Sequence, residues 1–527
     1  MTPDQRPSDA GAGAASKRAA FLRSFIPWTL LWLYAAVCVL YCADAWWRPD
    51  WDGAVYLLTG RSLAEGEGYT YLGEPFFLRP PGLPLLLSFF VEDGTFDFRA
   101  INLVLLGFAG LAVAMIFLAL RPLYSVWIAL GAALLTGTSK LFTHFFNYAL
   151  AEYPYFAAFF LGVILHQFSV RVRARWWWPA LLGGLAIALA AYLRTAAVLA
   201  LPGFLLASLL RCRGRQRLAG LLLSAVVVVL LVPWFGYARF AAARATVPIE
   251  QDLQFDYTTA MLHEDPGDPA SPLISGSDWI TRIRFNGDLL LDELVLSTFH
   301  VERSGLLSRS LLCLLVAAGM LISVRRGSIF YEWLAVVYAA VLLSYFVYAS
   351  RLLTPLIPLV YLYLLLVADA AGRWLGRRFR RPPIGPIGPI GRNGRNARIG
   401  TLLAGLVFAS LLPGNLANFR KHMSTRSDPV PTYRQLADWI RANTAEDAVL
   451  LCNQAPTISV LSNRTAYTFR FPRSFDLIET YDPDYVILDG PAESRLIQQA
   501  TERMQRRLTV TTGSGARIPV YQLGPGK

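Results

Sequence analysis

Six charged side chains set the chemistry to be explained. Asp50 and Asp52 follow the first long apolar run, in Trp46-Trp47-Arg48-Pro49-Asp50-Trp51-Asp52-Gly53-Ala54-Val55-Tyr56. Glu152 opens a later run, in Ala151-Glu152-Tyr153-Pro154-Tyr155. Arg79 precedes Pro80-Pro81-Gly82-Leu83-Pro84, Arg194 stands between two apolar runs, and Arg351 begins Arg351-Leu352-Leu353-Thr354-Pro355. A carboxylate at the edge of an apolar phase costs free energy unless it is solvated or paired. Partial desolvation raises its proton affinity, which suits it to act as a general base. A guanidinium in the same setting offers a fork of donors that matches a phosphate. Each residue also has a structural reading: Asp50 or Asp52 capping a helix that begins near residue 53, Glu152 favoured at a helix N-terminus beside Pro154, the arginines snorkelling to headgroups. As a set they imply a carboxylate base beside a phosphate-bearing ligand that lies in a membrane, with Asp50, Tyr56 and His144 in supporting places. The histidines (His144, His166, His263, His300 and His422) show no metal-ligand spacing, and neither do the scattered cysteines. Asp52 with Glu152 would offer only oxygen ligands, which favour Mg²⁺ or Mn²⁺ if a divalent ion is used.

The elements that position these residues are membrane spans. The 527 residues are 55% hydrophobic and 16% charged, with mean hydropathy +0.42 and net charge +13. Basic chains of this size often bind nucleic acid, but those are charge-rich and poor in apolar runs. The composition therefore excludes a disordered chain and a nucleic-acid binder, and it predicts a polytopic membrane protein. About eleven stretches approach the ~20 apolar residues that a crossing helix needs: 25–45, 99–120, 123–140, 154–170, 177–194, 196–210, 218–238, 306–324, 329–349, 352–371 and 399–414. Lys and Arg collect at the N-terminus, at Arg121, Arg171 to Arg175, Arg211 to Arg217, Arg325 to Arg326 and Arg373 to Arg398. An even number of spans separates neighbouring clusters, so the positive-inside rule places all of them in the cytoplasm and the C-terminus outside. These inner segments hold 22 Lys and Arg against four Asp and Glu. The net charge thus records orientation. Arg79, Arg194 and Arg351 fall outside the inner clusters.

The expected architecture is mainly α: a cytoplasmic tail over 1–24, a helical core over 25–371 with outer loops 46–98 and 239–305, a basic Gly/Pro linker over 372–398, a last span over 399–414, and a small outer α/β domain over 415–527. The apolar piece at 80–90 is too short to span and reads as re-entrant, interfacial, or a broken start to the next span. In the final domain, helical periodicity covers 433–443 and 492–505, and strands are expected at 448–451 and 485–488. It holds no Gly-x-Gly-x-x-Gly nucleotide fingerprint.

The order Asp52-x-x-x-Tyr56, Arg61, Gly66 to Tyr69, Pro75-Phe76 and Arg79-Pro80-Pro81-Gly82-x-Pro84 resembles the first outer loop of the glycosyltransferase 39-like, GT-C membrane transferases, a group that includes protein O-mannosyltransferases and the bacterial aminoarabinose transferase. Glu152-x-Pro154, Arg194 and Arg351-Leu352-Leu353-x-Pro355-Leu356-x-Pro358 extend the likeness to about residue 360. The resemblance implies a GT-C-like bundle, a polyprenyl-phosphate-linked sugar donor, a lipid, glycan or protein acceptor on the extracytoplasmic face, a catalytic Asp52, and Arg79 on the carrier phosphate. This chain departs from the pattern at Gly53, where an acidic residue often stands, at Arg79 in place of Lys, and at Glu152 in place of Asp. The resulting expectation is an inverting glycosyltransferase of the cell membrane, with Asp52 as base, Arg79, Arg194 and Arg351 on the donor phosphate, and Glu152 on substrate or metal. A multi-span transporter or flippase, and a surface-glycan polymerase or ligase, are the alternatives.

Overall fold

The computed structural model describes residues 10–244, 261–264, 271–301, 305–326, 330–345, 350–378, 389–424, 430–469, 477–490, 494–513 and 515–524. The Ile384-Gly385-Pro386-Ile387-Gly388 part of the linker and most of 239–275 lie outside them, as do the side chains of the tail and of His422.

In chain order the elements are α1 (Ala10–Cys42), α2 (Trp51–Ala64), β1 (Thr70–Tyr71), β2 (Glu74–Pro75), α3 (Gly82–Ser88), β3 (Val91–Glu92), β4 (Thr95–Phe96), α4 (Phe98–Leu120), α5 (Val126–Thr138), α6 (Lys140–Thr143), α7 (Glu152–Arg171) and α8 (Trp177–Leu193). A 3₁₀ turn (Thr195–Leu199) leads into α9 (Ala200–Arg211), followed by α10 (Arg215–Ala242), α11 (Gly276–Phe299), α12 (Leu306–Arg325) and α13 (Phe330–Ser344). A second 3₁₀ turn (Ser350–Leu356) runs into α14 (Ile357–Arg378), then α15 (Pro389–Ser424). The last part holds α16 (Pro431–Asn443), β5 (Val449–Cys452), α17 (Ala455–Ser462), β6 (Thr465–Thr468), α18 (Leu477–Tyr481), β7 (Tyr485–Ile487), α19 (Ser494–Glu502), β8 (Met504–Thr511) and β9 (Arg517–Leu523).

Each of the eleven apolar stretches holds a helix among its described residues. Seven of the helices are long and apolar enough to cross a membrane, and the regions of α5, α8, α9 and α13 are shorter apolar helices of 10–17 residues. Helix starts follow from local capping: Asp97 accepts from the Ala100 amide at 2.9 Å and Ser125 from that of Ile128 at 3.3 Å. The helices run back and forth between two ends. At one, Tyr331 and Gln167 donate to the Ala119 carbonyl, gathering the ends of α4, α7 and α13. At the other lie the first loop, α6 and the start of α14.

The 80–90 segment becomes α3, packed on α2 with Leu83 and Leu87 buried, followed by the β3–β4 hairpin. The helix expected to begin near residue 53 is α2, and it is buried on nearly every side, from Gly53 through Gly60. The α/β boundary also shifts, because α15 continues to Ser424. Asn415 is buried inside the bundle, bonded to the Leu135 carbonyl at 3.1 Å and to the Tyr361 hydroxyl at 3.2 Å.

The C-terminal sheet has the order β6-β5-β7-β9-β8, parallel across β6-β5-β7 and antiparallel at β7-β9 and β9-β8. The strands expected at 448–451 and 485–488 are β5 and β7. The helix expected to 505 stops at Glu502, and the β8–β9 hairpin follows with alternating burial. This sheet has its own core, yet α17 packs on α2 and its Val460 joins the core of the bundle. The Arg434 guanidinium lies 4.4 Å from the Trp46 ring centroid. The domain therefore grips the loop that carries the two aspartates.

Candidate active site

Asp50 is the N-cap of α2, its carboxylate accepting from the Gly53 amide at 3.1 Å. This settles the capping alternative, since one aspartate cannot both cap the helix and stand in its first turn. Asp52, in that turn, turns to a cavity. A Cβ on Gly53 would stand 3.4 Å from the Ala149 carbonyl oxygen and 3.5 Å from Trp47 Nε1, ordinary contact distances, so α2 starts against the second loop. The two loops are fastened by Asn147. Its amide nitrogen donates to the Cys42 carbonyl at 2.9 Å and to the Asp44 carboxylate at 3.1 Å, and its side-chain oxygen accepts from the Asp44 amide at 3.1 Å. Its own carbonyl accepts from the Arg48 amide at 2.9 Å. Asn102 donates to the Asp44 and Trp46 carbonyls, each at 2.9 Å. With Asn147 and Asn102 buried, these bonds hold Asp52 and Glu152 in fixed relation.

Arg79 is placed by the Tyr69 hydroxyl, which donates to its carbonyl at 2.8 Å, while Tyr237 donates to the Tyr69 carbonyl at 3.1 Å. Three residues on, a Cβ at Gly82 would come within 2.5 Å of the Tyr192 carbonyl oxygen. Only glycine lets α3 approach the end of α8 so closely. That contact brings Arg79 toward Arg194, whose extended backbone (φ −155°, ψ 121°) caps α8. Arg351 arrives on the 3₁₀ turn before α14, its carbonyl accepting from the Thr354 hydroxyl at 2.7 Å.

Asp52, Tyr56, Arg79, Glu152, Arg194 and Arg351 all line one cavity of about 260 Å³, with Thr195, Tyr338 and Tyr345 among the other walls. Asp52 accepts from both Arg79 and Arg351. Arg351 also lies 3.7 Å from Asp50, and Arg194 donates to Glu152 at 2.5 Å. Asp52 is thus the paired carboxylate that its setting requires, and each of the three arginines has a carboxylate partner. What stays open is Nη1 of Arg79, buried with no hydrogen-bond partner among the described residues, while its guanidinium carbon stands 5.5 Å from the Tyr56 ring centroid. His144 lies outside the cavity lining, edge-on to Phe145 at 5.1 Å and tilted against Tyr148 at 5.6 Å. Partial burial, then the cations Lys140 and Arg48, push its imidazole below the usual range.

Among the described residues no group of three or more His, Cys, Asp or Glu is placed to hold a metal. Asp52 and Glu152 both direct their oxygens to guanidiniums, a poor donor set for Mg²⁺ or Mn²⁺. Sequence reasoning missed Thr195, Tyr338 and Tyr345 on the wall and Asn102 and Asn147 behind it. An asparagine within an apolar segment was the available signal for the latter pair. Nothing local distinguishes Tyr338 from the other aromatics of its helix.

No protein-family model and no curated protein matches the chain. Solved structures do. Archaeal oligosaccharyltransferase AglB from Archaeoglobus fulgidus, in complex with an inhibitory peptide and a dolichol-phosphate, matches with a TM-score of 0.55 at 13% identity, over 96% of this chain and 75% of that one. ArnT from Cupriavidus metallidurans in the apo state matches with 0.55 at 12% identity, over 96% and 100% of the two chains. The same protein bound to undecaprenyl phosphate gives 0.54 at 13%, over 95% and 99%. The chain therefore has the fold of the GT-C membrane glycosyltransferases.

Proposed function

We propose that this protein is an integral membrane glycosyltransferase that moves a sugar from a polyprenyl-phosphate donor to an acceptor on the extracytoplasmic face, with inversion and with Asp52 as general base. The observation that carries this reading is the single cavity in which Asp52 is bridged by Arg79 and Arg351 beside the Arg194–Glu152 pair. Two solved structures of the same fold hold polyprenyl phosphates, dolichol-phosphate in one and undecaprenyl phosphate in the other, which supports a donor of that class.

Arg79 and Arg351 close on Asp52. A donor phosphate competes for the same guanidinium protons, beginning with the unpaired Nη1 of Arg79, and draws Arg79 and Arg351 off the carboxylate. Asp52 then accepts the proton of an acceptor hydroxyl or amine. The acceptor oxygen or nitrogen bonds to the anomeric carbon as that carbon's bond to the phosphate oxygen breaks. The carrier phosphate leaves with both electrons onto Arg79, Arg194 and Arg351, where exclusion of water strengthens each contact. Glu152 holds Arg194 in place and presents its second oxygen to substrate. The basic clusters face the cytoplasm with the N-terminus, and the C-terminal domain, over about 425–527, stands outside as a clamp on the catalytic loop.

The test is transfer of radiolabelled sugar from a panel of polyprenyl-phosphate sugars by purified protein, wild type against Asp52→Asn. Asp52→Asn should lose at least about 10²-fold in turnover, the lower range for a general base. Full activity of the variant would remove Asp52 from the chemistry. No turnover of any donor, with solute crossing vesicles that hold the protein, would replace the reading by a transporter.

A further inference from the structure

At the end of the bundle opposite the cavity, α7 ends and α8 begins beside the junction of α9 and α10. Arg171, Arg173, Arg175, Arg213, Arg215 and Arg217 are all exposed there. The two junctions are tied together, Arg215 donating to the Arg173 carbonyl at 2.5 Å and Gln216 to the Val170 carbonyl at 3.4 Å, while Arg217 closes the α9–α10 junction on the Leu209 carbonyl at 3.0 Å. Arg175 and Gly214 take positive φ, each 52°, so both turns are tight. Nothing nearby in the chain offsets this charge. The sequence holds no Asp or Glu from 153 through 249, and among the described residues none of the six arginines pairs with a carboxylate. Sidedness alone does not require that the two loops converge or that acid be absent over so long a stretch. Trp177 and Trp178, stacked at 4.6 Å and exposed, stand beside the cluster as an interfacial anchor.

We propose that this cluster is a binding site for the phosphate headgroups of anionic phospholipid in the cytoplasmic leaflet, separate from the donor cavity. Six guanidiniums on two bonded loops present several phosphate-sized forks at once, whereas a single polybasic tail would have to be ordered first. A tryptophan pair at the same depth favours a lipid over a free anion, since the rings need an acyl and headgroup boundary to lie in.

The experiment is native mass spectrometry of the full chain in neutral detergent, titrated with phosphatidylglycerol, diphosphatidylglycerol, phosphatidylcholine or free pyrophosphate. The variant is Arg175→Gln/Arg213→Gln, because neither side chain makes a hydrogen bond within the described protein, so the fold keeps its internal contacts. The control is Arg506→Gln/Arg507→Gln on β8. The wild type and control should hold the two anionic lipids and not phosphatidylcholine, and the cluster variant should bind them about thirtyfold more weakly. Equal lipid affinity in the cluster variant and the wild type would overturn the assignment. Pyrophosphate binding as tight as the lipids, lost in the cluster variant, would overturn the lipid as occupant. Unfolding temperatures in phosphatidylcholine nanodiscs, expected equal for all three proteins, would expose a variant that is merely misfolded. In that case Arg175→Lys/Arg213→Lys, which keeps the charge, must restore the binding or the proposal fails. None of these readouts depends on sugar transfer.

Discussion

If Asp52 and the carrier phosphate compete for Arg79 and Arg351, neutralising Asp52 should weaken catalysis and tighten carrier binding together. Around the cavity three carboxylates, Asp50, Asp52 and Glu152, face three guanidiniums, Arg79, Arg194 and Arg351. Asp52→Asn leaves that set with one surplus positive charge and removes a like charge from the neighbourhood of the incoming phosphate. For a phosphate seated across the same guanidiniums, about 6 Å from the Asp52 carboxyl, one unit charge is worth ~3 kcal/mol at an effective dielectric of about 20. The Asp52 side chain is 15% exposed, so solvent screens part of this. Between about half and all of it corresponds to a roughly 10- to 100-fold lower Kd. The assay is titration of polyprenyl phosphate, with the uncharged polyprenol as control, followed by native mass spectrometry. Polyprenol affinity should not change. Equal or weaker phosphate binding by Asp52→Asn would refute the competition, because it would mean that Asp52 serves only to position the arginines.

Gly82→Ala would place a Cβ within 2.5 Å of the Tyr192 carbonyl, pushing α3 from α8 and Arg79 from the cavity. A loss of ~1–3 kcal/mol in stability is expected, with a larger loss of transfer than of acceptor binding, read by thermal unfolding and kinetics. Asn147→Ala removes the side chain that joins the first and second loops and strands buried polar groups, costing ~2–4 kcal/mol. Faster proteolysis between residues 43 and 51 would report it. In the C-terminal domain burial raises the Asp489 carboxyl to about 6, although the Asn453 and Gln454 amides bond to it at 2.6 and 3.1 Å. Because its folded pKa lies above the unfolded value of about 3.9, the native state holds the extra proton between the two. Stability should therefore fall as pH rises from about 4 to 6, and Asp489→Asn should flatten that slope in thermal unfolding of the full chain.

Much of this protein is legible without coordinates because a bilayer leaves the backbone few options. Every backbone polar group must be satisfied inside the segment, so apolar length alone marked the eleven helical stretches, and arginine counts alone supplied an expected sidedness. Residue type and place also pointed to Asp52, Arg79, Glu152, Arg194 and Arg351, since charge at such depth needs a reason. What the chain order could not supply is who pairs with whom. Asp52 and Arg351 are 299 residues apart, and their contact depends on how the 3₁₀ turn before α14 is seated against α6, α11 and α13. That packing decides that Asp52 faces the cavity, that α2 is buried, and that Tyr338 reaches the wall. It also rests on Gly82, whose missing side chain matters only through the neighbour that tertiary structure brings against it. Sequence determines which groups must be satisfied; the packing of distant segments decides which group satisfies each.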